Sequence, residues 1–223
     1  MRASLPLLLL VTALSADETA DREKVLSRVA GRSAAVKDLR ADYEQSSLRE
    51  GLKKPVVSRG TLLFRADPEE GAVVLLKVSE PETAFIRVTR SKMETYLPED
   101  KQVEVIDLKE NEAGAQAVDA TVLLYGKPRE FWETHYEVSL VEKKVAGDPD
   151  ELVLVPKDPE LKKTLLEVRM WVSPEEALPV RVRYRYARGE EVTMTFGRVK
   201  PNTGLAARDL ALTWPKDTEV LKP

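Results

Sequence analysis

Cysteine is absent from the 223 residues, and histidine occurs once, as His135. The first absence excludes disulfides, thiolate metal sites, thiol nucleophiles and a lipid-bearing cysteine behind a leader. The second leaves no histidine-based metal centre, and any Ser–His–Asp arrangement would have to use His135. Gly-x-Gly-x-x-Gly, a Walker loop and His-Glu-x-x-His are also missing. A basic bias is lacking too: 33% of the residues are charged, yet the formal net charge is −3. Nucleic acid is therefore not an expected partner. No catalytic residue, metal or cofactor is called for, and the expectation is a protein that is not an enzyme.

Long apolar runs are confined to the N-terminus. Arg2 precedes the apolar Leu5–Leu14, and Ala13-Leu14-Ser15 then offers small residues at signal-peptidase spacing. Met1–Ala16 reads as a signal peptide, too short to span a bilayer. One exported domain over 17–223 follows, periplasmic in a bacterium, with no linker or internal repeat to divide it.

What fills that domain is period-two patterning. Pro179–Ala187 sets Val180, Val182, Tyr184 and Tyr186 against Arg181, Arg183 and Arg185, one apolar face and one cationic face of a strand. Leu165–Val172 does the same with Leu166, Val168, Met170 and Val172 against Glu167 and Arg169. Val192–Val199 sets Val192, Met194 and Phe196 against two threonines. Ser173–Glu176 and Arg188-Gly189 supply the turns, so these three segments form an antiparallel meander. The arginine row is expected outside, crossing Glu167.

Earlier in the chain Asp17–Val36 has helical spacing, with Val25, Leu26, Val29 and Val36 apolar. Strands follow at Leu39–Leu48, at Val56–Ala66 with Leu62 and Phe64 on one face, and in short runs to Asp107. Glu110–Tyr125, rich in alanine, reads as a helical insertion stopped by Gly126 and Pro128. His135–Val145, Glu151–Pro156 and a last short strand at Leu210–Thr213 complete the count. The fold class is mainly β, an incomplete antiparallel β-barrel of about eleven strands with helices over its concave face.

The order of elements resembles the outer-membrane lipoprotein carrier (LolA-like) family. The resemblance runs through Tyr43-Glu44-Gln45, Gly60-Thr-Leu-Leu-Phe-Arg65, Thr95-Tyr96-Leu97-Pro98 with Gln102-Val103, and Leu123–Gly126. It continues through Tyr136-Glu137-Val138, Leu152–Lys157 and Leu210–Val220. It implies a carrier that binds acyl chains of lipoproteins or other lipids and moves them toward the outer membrane. It also implies an inner-membrane transporter and an outer-membrane receptor as partners, the carrier itself being a monomer. The lipid-binding face would comprise Leu62, Phe64, Ile86, Val168, Met170, Val182, Tyr184, Met194 and Phe196, with Arg65 contacting the helical lid. A lipid-sensing regulatory module on the same fold is the alternative, and an envelope-lipid hydrolase using His135 a more distant one.

Overall fold

The computed structural model describes residues 16–49, 51–67, 70–108, 129–143, 145 and 147–222. The leader up to residue 15 and the helical insertion read over Glu110–Tyr125 lie outside the described residues. The chain opens with helix α1 (Ala16–Ala34). Strands β1 (Asp38–Leu48), β2 (Val56–Asp67), β3 (Gly71–Glu80), β4 (Ala84–Val88), β5 (Lys92–Leu97) and β6 (Gln102–Asp107) follow as one meander. After α2 (Arg129–His135) comes a second: β7 (Tyr136–Val141), β8 (Asp150–Pro156), β9 (Leu165–Val172), β10 (Pro179–Tyr186) and β11 (Glu191–Pro201). A short helix, α3 (Pro159–Lys162), interrupts it between β8 and β9. The two meanders join where β1 pairs antiparallel with β11. The C-terminal segment then forms a 3-10 turn (Ala207–Leu210) and β12 (Glu219–Leu221), which adds in parallel to β6.

The result is one sheet of twelve strands in the order β12-β6-β5-β4-β3-β2-β1-β11-β10-β9-β8-β7. It curls but does not close, leaving β12 and β7 as its edges. The incomplete antiparallel barrel is the architecture read from the sequence. One element was misplaced: Leu210–Thr213 is not a strand, and the last strand is Glu219–Leu221. Leu210 ends the 3-10 turn instead, buried on the outer face of the sheet.

The concave side holds the main core. Helix α1 turns Leu26, Val29, Ala30 and Ser33 inward, spacing that puts all four on one helical face. These pack on Leu39, Tyr43, Phe64 and Leu76 from the first meander and on Leu152, Val168, Val182 and Met194 from the second. The arginine row of β10 faces outward, as alternation requires. The Arg169 guanidinium, 2.7 Å away, holds the Glu167 carboxyl below the usual carboxylate range, with Arg185 and Arg183 adding to it.

Bulges correct the strand alternation at two places. Pro179 pairs with Val172 and Arg181 with Trp171, so Val180 is an extra residue and leaves the core face. Pro179 is buried in its place. On β9 the pairing steps from Glu167 to Leu165, so Leu166 is skipped and stands 39% exposed while Leu165 is buried. Leu166→Ser is accordingly expected to change unfolding free energy by no more than about 0.5 kcal/mol, as surface changes do. Urea denaturation measures this, and a loss of about 2 kcal/mol or more would return Leu166 to the core.

Candidate functional site

Eight of the nine residues expected on the lipid-binding face converge in the concave core. Leu62, Phe64, Val168, Met170, Val182, Tyr184, Met194 and Phe196 are buried together, none more than 5% exposed. Ile86 is half-buried against them. Register explains the grouping: Met170, Val182, Met194 and Gln45 form one row across β9, β10, β11 and β1. Val168, Tyr184 and Val192 form the next. In this structure the row is filled by packed side chains. Burial pushes the Tyr43 phenol up to about 12, a mark of how dry this interior is.

Arg65 lies elsewhere. It shares the outer face of β2 with Leu63, and its guanidinium pairs with Asp67 at 2.8 Å. Of the helical lid it is expected to contact, the insertion is outside the described residues, and α1 and α2 cover the opposite, concave face. His135 ends α2, just before β7. Its Nδ1 lies 2.8 Å from the Phe131 carbonyl oxygen and its ring stacks on Phe131 with centroids 4.5 Å apart.

The cover over the core is α1 with α2. Trp132 from α2 is buried, and its indole N–H has no hydrogen-bond partner among the described residues. The Ser33 hydroxyl, on the underside of α1, is in the same condition. An unpaired buried donor costs about 1–3 kcal/mol, and among the described residues the apolar interior holds two such groups, Trp132 and Ser33.

Sequence reasoning missed how this cover is fastened. Backbone pairing does not hold α1 to the sheet; side chains along its length do. Arg28 donates to Asp150 and to the Pro174 carbonyl, and Lys143 meets Asp150 at 2.9 Å. Arg32 reaches Glu176 at 3.7 Å. Toward the start of α1, Arg22 donates to the Val138 carbonyl on the edge strand β7 at 3.3 Å. Glu23 pairs with Arg129 of α2, which holds Glu133 at 2.7 Å. Hydrogen bonds from Arg22 and then Arg129 hold the Glu23 carboxyl below the usual carboxylate range. Asp150 lies 122 positions from Arg28, and Glu23 lies 106 from Arg129, so charge patterning alone could not pair them.

Between α1 and the free edge β7 a cleft of about 510 Å³ opens. Val25, Leu140 and Val141 give it an apolar lining, and Arg28, Lys143 and Asp150 stand at its rim. Val25 and Leu140 also pack against the main core, and β7 ends the sheet.

These features define a class: a half-barrel sheet with an apolar concave face, covered by helices that side chains fasten at the rim. Among solved structures the chain is similar to a DUF1329 family protein from Desulfovibrio piger. The two are 14% identical, over 87% of this chain and 97% of that one, with a TM-score of 0.52. It is similar to the same degree, 14% identity and TM-score 0.52, to an uncharacterized conserved protein from Thermus thermophilus, over 91% of this chain and 99% of the other. A LolA superfamily protein from Nitrosomonas europaea aligns over 86% of this chain and 97% of its own at 13% identity, with a TM-score of 0.40, too low to carry weight. No family model and no curated protein matches the chain. At such identities the likeness concerns the fold, which is the helix-covered incomplete barrel that the family resemblance implied. No helix among the described residues is long and apolar enough to cross a membrane.

Proposed function

We propose that the protein is a periplasmic, non-enzymatic carrier that takes acyl chains of lipoproteins or other lipids onto the concave face and moves them toward the outer membrane. The observation that carries this reading is the fastening of α1. Its underside is apolar, while its attachments are side-chain contacts at a rim where the sheet is open. Exposed ion pairs such as Arg32–Glu176 contribute about 0–1 kcal/mol each, and the pair of Arg28 with the buried Asp150 contributes more. An acyl chain gains about 0.8 kcal/mol per buried CH₂. A long acyl chain, with many such methylenes, therefore offsets both the clasps and the apolar packing that α1 gives up. It enters by the β7 cleft, lifts α1 and replaces part of the side-chain packing beneath. The unpaired Trp132 indole N–H would meet an ester or amide carbonyl near the head of the chain.

The test uses a diacylated lipopeptide carrying a photoreactive group on one chain. Crosslinks are expected on Phe64, Met170, Met194 or Trp132, and the lipopeptide should pass from donor to acceptor vesicles faster with the protein present. Crosslinks confined to the outer face of the sheet, or none, would overturn the reading. Binding without transfer would instead favour the sensing module on the same fold.

A further inference from the structure

The outer face of the first meander carries a second apolar surface with its own charge pattern. Two neighbouring rows cross it in register. One is Arg40–Leu63–Leu75 on β1, β2 and β3. The other is Lys77–Phe85–Tyr96 on β3, β4 and β5. The C-terminal segment passes over both, seating Leu210 among Leu63, Val73 and Leu75. Between this strap and the sheet remains a cleft of about 440 Å³. Leu63, Leu75, Phe85 and Tyr96 line it, with Leu205 and Leu212 from the strap, and Arg40, Lys77 and Arg208 stand around it.

The cations distinguish this cleft. Elsewhere on the same face arginines are matched with carboxylates: Arg59 with Glu44 and Glu80, Arg87 with Glu70 and Glu94. Arg40, Lys77 and Arg208 have no ion-pair partner among the described residues. Asp42, next on β1 on the same face, is taken by Arg198. Asp209, a carboxylate in the cleft wall, accepts from the Ala206 backbone N–H at 2.8 Å. Three cations against the single carboxylate of Asp209 thus leave a net positive charge around an apolar floor, an arrangement that attracts an anion and desolvates whatever is attached to it.

We propose that this outer cleft binds a small amphipathic anion, an apolar chain or ring bearing one carboxylate or phosphate head. The body would lie on Leu63, Leu75 and Phe85, and the head would meet Lys77, Arg208 and Arg40. The volume falls in the range of about 300–1,000 Å³ usual for small-molecule sites. The site is separate from the concave face, from which the whole thickness of the sheet divides it.

Trp214 stands beside Tyr96, ring centroids 6.5 Å apart, and reports on the cleft. The probe is 12-bromododecanoate below its micelle-forming concentration, the bromine quenching nearby tryptophan. The share of the quenching carried by Trp214, read as the difference between wild type and Trp214→Phe, is expected to saturate at one ligand per protein, any remainder reporting the concave core through Trp132. In Lys77→Gln/Arg208→Gln, whose altered side chains are exposed, the midpoint is expected to rise at least tenfold with the melting temperature unchanged. Competition by dodecanoate against dodecyl phosphate then assigns the head group. Quenching left unchanged by Trp214→Phe places the chain beside Trp132 or Trp171 alone and overturns the proposal. So does a midpoint unmoved by removing the charges, equal competition by neutral dodecanol, or no quenching at all.

Discussion

Gly60→Ala is expected to lower the unfolding free energy by about 3 kcal/mol or more, one added methyl group notwithstanding. Gly60 sits on β2 opposite Tyr43 of β1 and Val78 of β3, at the step where Ser79 is bulged out of the β2–β3 ladder. A Cβ at this position would lie 2.0 Å from the Lys77 carbonyl oxygen and 2.9 Å from its carbon. Both are backbone atoms of the adjoining strand, so no side-chain rotation relieves the contact. Overpacking a core with side chains typically costs about 1–3 kcal/mol, and forcing two hydrogen-bonded strands apart exceeds that range. The control is Gly31→Ala. Position 31 is helical with nothing within 4 Å of an added Cβ, and alanine there is expected to stabilise by up to about 1 kcal/mol. Paired urea titrations of the two variants decide the matter. Equal, small effects would mean that the β2–β3 bulge relaxes freely.

The bulge at Gly60 also illustrates what the sequence makes legible and what it hides. Alternation in Val182–Tyr184, Val168–Met170 and Met194–Phe196 identifies the inward rows correctly, because a period of two can be satisfied only by one face at a time. It fails at Val180 and Leu166, where one unpaired residue shifts the phase and the pattern gives no sign of it. In β2 and β3 alternation is absent. Leu62, Leu63 and Phe64 are all buried, as are Val73 to Leu76. Such a run means cover on both faces, and it was the available signal for a strap on the outside. The strap itself has no periodicity, since it packs by Leu205 and Leu210 with Arg208 and Asp209 between them. The clasps of α1 were illegible for another reason: Arg28 and Asp150 look like ordinary surface charges until the fold brings them together.

Asp38→Ala is expected to cost about 3 kcal/mol and to make the strap, not the concave core, exchange its amide protons faster. Asp38 begins β1 and is 7% exposed. Its Oδ1 accepts from the Thr203 backbone N–H at 2.7 Å and from the Thr203 hydroxyl at 2.9 Å, and its Oδ2 from the Gly204 N–H at 3.1 Å. Hydrogen bonds to a charged acceptor contribute about 1.5–3 kcal/mol each, and removal leaves the donors unpaired. Asn202 adds to the junction, accepting from the Lys37 N–H at 2.8 Å and donating to the Ala35 carbonyl at 3.1 Å. Together these tie the end of β11 and the start of the strap to the foot of α1. Burial alone would raise the Asp38 carboxyl, but the bonds from Thr203, Leu205 and Gly204 outweigh it and hold the group below the usual range. A carboxylate depressed on folding contributes stability in full above its unfolded value of about 3.9, and that contribution is lost as pH falls through the folded value. The gap in stability between wild type and Asp38→Asn should therefore be constant near neutrality and shrink below about pH 4. Denaturation at a series of pH values reads that gap, with hydrogen exchange on 203–213 reporting the strap. A gap that widens in acid, or a strap no faster to exchange in Asp38→Ala, would show that the carboxylate is not what anchors the roof of the outer cleft.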